Sequence, residues 1–260
     1  MKKLLLLLPL IFCMCSKSEN EVPATTFAIS LTPSVNNVIV DEEFTIMVTA
    51  NEPMKAIGVS VENDGSSGGQ MQADFGTSRN FFFGFKTIGQ KNISVKATSA
   101  SGITIVKNIT INVARGNAVK ITKLQITSFE NINATWDPEF APTNPNSLAD
   151  VYFGLYTLQR NNYYFEDQRL DSEWYKSNIK ENQGDLIWDL SSSNLYITPN
   201  KEIKFGLADK DVDLGQSLIP NLPDYRIITL YNYMTTKPTT IIYSWPEVNL
   251  SFILTVEWPN

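Results

Sequence analysis

Two long stretches of this chain alternate apolar and polar residues at a period of two, and no segment sustains the spacing of an amphipathic helix. A period of two sends every second side chain to one face of a strand, so the chain is committed to sheets with one buried face. In the first stretch the runs are 26–31, 44–49, 56–61, 81–85, 93–97 and 103–113, with Gly, Asn, Asp and Ser clustered between them. In the second they are 119–127, 150–158, 186–190, 202–207, 226–231, 240–244 and 249–257. Short strands at that density predict antiparallel sandwiches. The small, polar segment 114–118, with Gly116, separates the two sets and reads as a domain boundary. Segment 171–180 is expected to form one or two helical turns at most. The expected fold class is all-β, with two antiparallel β-sandwich domains in tandem over 26–114 and 118–260.

The N-terminus sets the compartment. Lys2 and Lys3 precede an apolar run that ends at Cys13-Met14-Cys15, after which the chain turns polar. The run 4–15 is twelve residues long, short of the roughly 20 that cross a bilayer as a helix, so it reads as an export signal. The stretch resembles a bacterial lipoprotein signal, and Cys15-Ser16-Lys17-Ser18-Glu19 resembles the export signal of surface lipoproteins in the Bacteroidetes. The resemblance implies a signal peptide over 1–14, lipidation of Cys15, a tether over 15–25, and an outer-membrane, surface-exposed location.

Composition narrows the chemistry. Without Lys2 and Lys3 the balance is 19 basic to 27 acidic residues, a net charge of −8, which speaks against nucleic acid as a partner. The two cysteines both lie in the signal region, so the body beyond them has no thiol for a disulfide, a zinc site or a nucleophile. Histidine is absent altogether, which removes Ser-His and Cys-His catalysis and His-ligated metals. Any enzyme here would run on carboxylates, Lys, Tyr or a hard metal ion. The expectation is a non-catalytic protein.

The pattern Thr87-Ile88-Gly89 through Ala97, then Ser101-Gly102 and the run 104–113, resembles the closing hairpin of an immunoglobulin-like PKD domain, with Asp74-Phe75-Gly76 as a loose counterpart of a further family strand. That resemblance covers about residues 24 to 114 and implies a spacer. In the second stretch, Ala149-Asp150-Val151-Tyr152-Phe153 and Phe205-Gly206-Leu207-Ala208-Asp209-Lys210-Asp211 are similar to strands of a C2 domain that end in calcium loops, and 250–258 fits its last strand. The resemblance implies Ca²⁺ ligands at Asp150, Asp209 and Asp211, with Asp137 as the earlier loop aspartate and Asp213 in the same acidic run. Its further ligand position falls on Ser217, which implies a weakened site. The physical case is independent: Ca²⁺ takes six to eight oxygens, and aspartates at i and i+2 on an extended strand face the same way. An EF-hand reading fails, because its sixth position would be Leu214 and its twelfth Pro220. The alternative to an ion site is a solvated acidic loop.

Aromatic residues supply the other candidate surface. Trp188 and Trp258 read as core, whereas Trp174, Tyr163 and Tyr164 stand in polar contexts and are candidate ligand-binding rings. Adjacent Glu166 and Asp167 do not have the separation across a cleft that glycoside hydrolysis needs. Together these features predict a lipid-anchored binding or adhesion protein, with an extracellular protein or glycan as partner and loops that hold Ca²⁺. The alternative is a glycan-binding accessory lipoprotein of a polysaccharide-uptake system.

Overall fold

Strand β7 (Gly89–Ser99) shows how the alternation becomes a sandwich. Ile93, Val95 and Ala97 are fully buried, while Asn92 just before them and Lys96 between the last two are exposed. The computed structural model describes residues 26–35, 37–62, 67–159, 170–211 and 215–260, and among them there is no α-helix.

The first half forms two sheets. One contains β1 (Ile29–Pro33), β3 (Glu43–Ala50) and β6 (Ser78–Gly84), in that order; the other runs β2 (Val38–Ile39), β8 (Thr104–Ala114), β7, β4 (Met54–Glu62), β5 (Ser67–Gln72). Every pairing is antiparallel except that of β2 with β8. Ile46 and Phe81 from the first sheet and Ile57, Ile93 and Val95 from the second are buried in one core. Phe44 lies 5.5 Å from Phe83 and 5.8 Å from Phe85, ring centre to ring centre. The β7–β8 turn places Gly102 at φ +87°, a left-handed position that suits glycine.

The second half repeats the plan with a different strand order. β9 (Val119–Ser128) pairs on one side with both β12 (Ile187–Asp189) and β13 (Leu195–Ile197), and on the other with β18 (Leu250–Glu257), which pairs with β17 (Thr240–Trp245). The facing sheet runs β11 (Leu170–Lys176), β10 (Val151–Gln159), β14 (Glu202–Lys210), with β15 (Gly215–Ser217) and β16 (Arg226–Thr229) sharing the far edge of β14. Phe205 of one sheet meets Phe252 of the other at 4.4 Å, and Trp188 meets Phe153 edge-on at 5.2 Å. Each such ring contact contributes about 0.5–1.5 kcal/mol beyond the apolar area it buries. The expected helical turns over 171–180 do not form. That segment supplies β11, an edge strand bonded on one side to β10.

Strands from 29 to 114 and strands from 119 onward pair only within their own sets, among the described residues. Residues 115–118 join them. Gly116, at φ +55°, has no room for a side chain, since a Cβ there would sit 2.4 Å from Ile39 Cγ2. The two halves meet along a built seam. Tyr196 is buried against the first core, while its neighbours Leu195 and Ile197 belong to the second. Asp41, fully buried at its side chain and at φ 65°, accepts hydrogen bonds from Lys86 of its own half and from the Thr198 backbone N–H at 2.9 Å. The Lys201 amine lies 3.2 Å from Asp41 Oδ1 and also donates to the Asp41 carbonyl. Burial holds the Lys86 amine below its ordinary pKa despite the attraction of Asp41. Farther along, Arg115 bonds to the carboxylate and carbonyl of Glu257 and lies over the Tyr196 ring.

Candidate metal centre

The alternation that builds the core also builds a charged site at its end. Along β14, Ile203, Phe205 and Leu207 point inward, and the next inward position is Asp209, only 1% exposed. Asp211 follows two residues later, just beyond the strand. The facing loop supplies Asp137. Its position is fixed where the backbone N–H groups of Trp136 and Asp137 donate to the Ser147 carbonyl, at 2.7 and 3.3 Å, beside the 3-10 turn Pro145–Ser147. One carboxylate oxygen from each of Asp137, Asp209 and Asp211 lies within 4.8 Å of the others.

Asp150 takes a different part. Its backbone N–H donates to Asp209 Oδ1 at 2.6 Å, and its own Oδ1 accepts from the Asn182 N–H at 2.7 Å. It therefore ties Asp209 to the 177–186 loop and does not join the three clustered carboxylates. Asn182 accepts this geometry at φ 51°, ψ 44°, a left-handed conformation that asparagine tolerates.

Only one oxygen of Asp209 is engaged in this way. Its Oδ2 is buried without a hydrogen-bonding partner. Burial first, then the carboxylates of Asp211, Asp137 and Asp150, raises the Asp209 pKa above the usual carboxylate value, against the opposing Asp150 N–H. Asp137 is raised as well, by burial and by Glu139, Asp150 and Asp211. The Lys210 amine, on the wall of the same cleft, donates to the Asp211 carbonyl. A cleft of about 750 Å³ is lined by Asp137 and Asp211, with Asp209 buried behind them and with Trp136, Glu139, Asn146 and Glu181 among its walls. Oxygen-only donors with excess negative charge suit a hard cation, and a buried carboxylate oxygen without a partner could serve as a ligand to one.

Of the other expected site residues, Ser217 stands in β15 opposite Ala208, with its hydroxyl donating to the Ile219 carbonyl and accepting from the Ile219 N–H. It offers nothing to the three carboxylates. Trp174 is half-buried against the second core, with the Lys86 amine 5.7 Å above its ring. It therefore belongs to the seam between halves and not to an open binding face. Cys15, Tyr163, Tyr164, Glu166, Asp167 and Asp213 lie outside the described residues. The roles of Asn182, Glu139 and Glu181 carried no sequence signal, because they reach the site only through the folding of two loops.

No family model matches the chain, and no curated protein matches it. Among solved structures, the fibronectin(III)-like modules of Clostridium thermocellum CbhA align over 78% of this chain and 94% of that one, at 11% identity and a TM-score of 0.27. A superposition that loose carries no argument about this chain, whose architecture rests on its own strand pairing.

Proposed function

We propose that this chain is a non-catalytic binding protein of the cell surface, held to a membrane by lipid on Cys15, whose second sandwich meets its partner through loops gathered around Ca²⁺. The observation that carries the reading is the Asp137, Asp209 and Asp211 convergence, with Asp209 Oδ2 buried and unpaired. A cation bridging these oxygens would fix the 129–150 loop and the end of β14 relative to each other, and Asp150 would extend that order to the 177–186 loop. The first sandwich, on this reading, is an immunoglobulin-like spacer, and the partner is an extracellular protein or glycan.

A carboxylate hydrolase fits less well. Oxygens within 4.8 Å of one another are closer than the roughly 5 to 10 Å separations that glycoside cleavage uses, and the sequence has no histidine and no cysteine beyond Cys15 to share the work. Calorimetry of the full chain in detergent, titrated with CaCl₂, tests the cation. Binding heat and a raised melting temperature are expected at calcium concentrations on the order of millimolar, both lost in Asp209→Asn. A flat titration with an unchanged melting temperature removes calcium from the reading. Mass spectrometry of the native protein tests the anchor, where an unacylated Cys15 is the adverse result.

A further inference from the structure

A second recess lies on the solvent face of the same sheet, and it shares no lining residue with the acidic cleft. Its floor follows from strand register. Tyr152, Gly154 and Tyr156 alternate with the buried Val151, Phe153 and Leu155 of β10, and they face outward opposite Ala208, Gly206 and Lys204 of β14. Gly154 and Gly206 are thus direct partners at the middle of a sheet, where Gly154 is buried beneath the Tyr156 ring and Gly206 stays partly open. Glycine weakens a strand interior and commonly marks a place that something else approaches closely.

The tyrosine rings lean over glycines. A Cβ on Gly154 would meet Tyr156 Cε2 at 2.7 Å, and one on Gly215 would meet the Tyr152 hydroxyl at 2.3 Å. Asp224 and Tyr225 close a recess of about 380 Å³, near the lower end of the roughly 300–1,000 Å³ typical of small-molecule sites. Lys176 lies 4.7 Å from the Tyr152 ring centre and Lys204 4.7 Å from that of Tyr225, so two of the three rings already carry a cation. That arrangement disfavours a cationic ligand. What remains is an amphipathic slot lined by tyrosine rings, an amine and a carboxylate.

A pyranose has the matching form, with a face of C–H groups and a girdle of hydroxyls that both donate and accept. We propose that this recess binds a sugar residue of a glycan, its ring laid against Tyr156 over Gly206 and its hydroxyls bonded by Lys204 and Asp224. The proposal rests on the chain being a binding protein but not on the cation, so the two are separable by chelation.

Native gel electrophoresis of the full chain in detergent, through gels containing xyloglucan, galactomannan, arabinoxylan or polygalacturonate, supplies the test. Retardation in at least one gel is expected, unchanged by EDTA. Gly206→Val is the informative variant: its Cβ would make only ordinary contacts, 3.8 Å to Tyr156 Cε2 and 4.0 Å to the Asp224 carbonyl oxygen, while its methyl groups fill the floor. It should keep the wild-type melting temperature and lose affinity by about tenfold or more, as should Tyr156→Ala. Blank gels across all four polysaccharides overturn the proposal and leave the tyrosines as covers for glycine. Retardation that survives Gly206→Val, or that disappears in Trp174→Ala instead, also overturns it.

Discussion

Asp41 and Asp209 are both buried aspartates, and the protein treats them in opposite ways. At the seam, Asp41 is met by two lysine amines and a backbone N–H, so its charge is answered from within the fold. At the far end of the second sandwich, Asp209 receives one N–H, faces further carboxylates, and leaves an oxygen without a partner. Burying a charge is expensive unless it is paired. The contrast separates a carboxylate whose charge is paired within the fold from one whose cluster could hold a metal ion.

The contrast is sharpest in mutation. Asp41→Asn should destabilise the protein by about 2–4 kcal/mol in denaturant titration, because it leaves Lys86 and Lys201 facing each other with their shared counter-charge removed. Asp209→Asn in calcium-free buffer should have the reverse sign, a gain of about 1 kcal/mol, since an amide keeps the bond from the Asp150 N–H and relieves the repulsion. Equal losses from both substitutions would break the comparison.

Those signs depend on distant partners, which is why the sequence showed so little of them. Alternation exposed the strands that bury one face, such as β7 and β14. It missed β11, whose Ser172 and Glu173 lie on a sheet edge with little to bury, and β13, whose three residues are all buried because Tyr196 faces one core and its neighbours the other. The i, i+2 spacing of Asp209 and Asp211 was legible, but the glycine pair required β10 and β14 to be set in register, and the Asp41 seam joins residues about 160 positions apart.

Acidity gives a smaller effect. Because Asp209 is raised above the ordinary carboxylate value, the native calcium-free protein holds that proton more tightly than the unfolded chain does. Its stability should therefore rise as pH falls through that raised value, and the gain should level off near the unfolded pKa of about 3.9. Denaturation midpoints measured against pH should show this slope in the wild type and a flatter curve in Asp209→Asn. Smallest of all is Glu257→Gln. The carboxylate is exposed, and although Arg115 holds its pKa below the usual range, screening by solvent should leave the denaturation midpoint within error of wild type.

Tyr196 gives the three-residue strand β13 two allegiances, since its ring fills the first interior while Leu195 and Ile197 fill the second. Melting of either half takes this ring from its place in the first core. Differential scanning calorimetry should therefore record a single endotherm for the pair, and force applied along the chain should meet one joint yield point where beads on a string would give two.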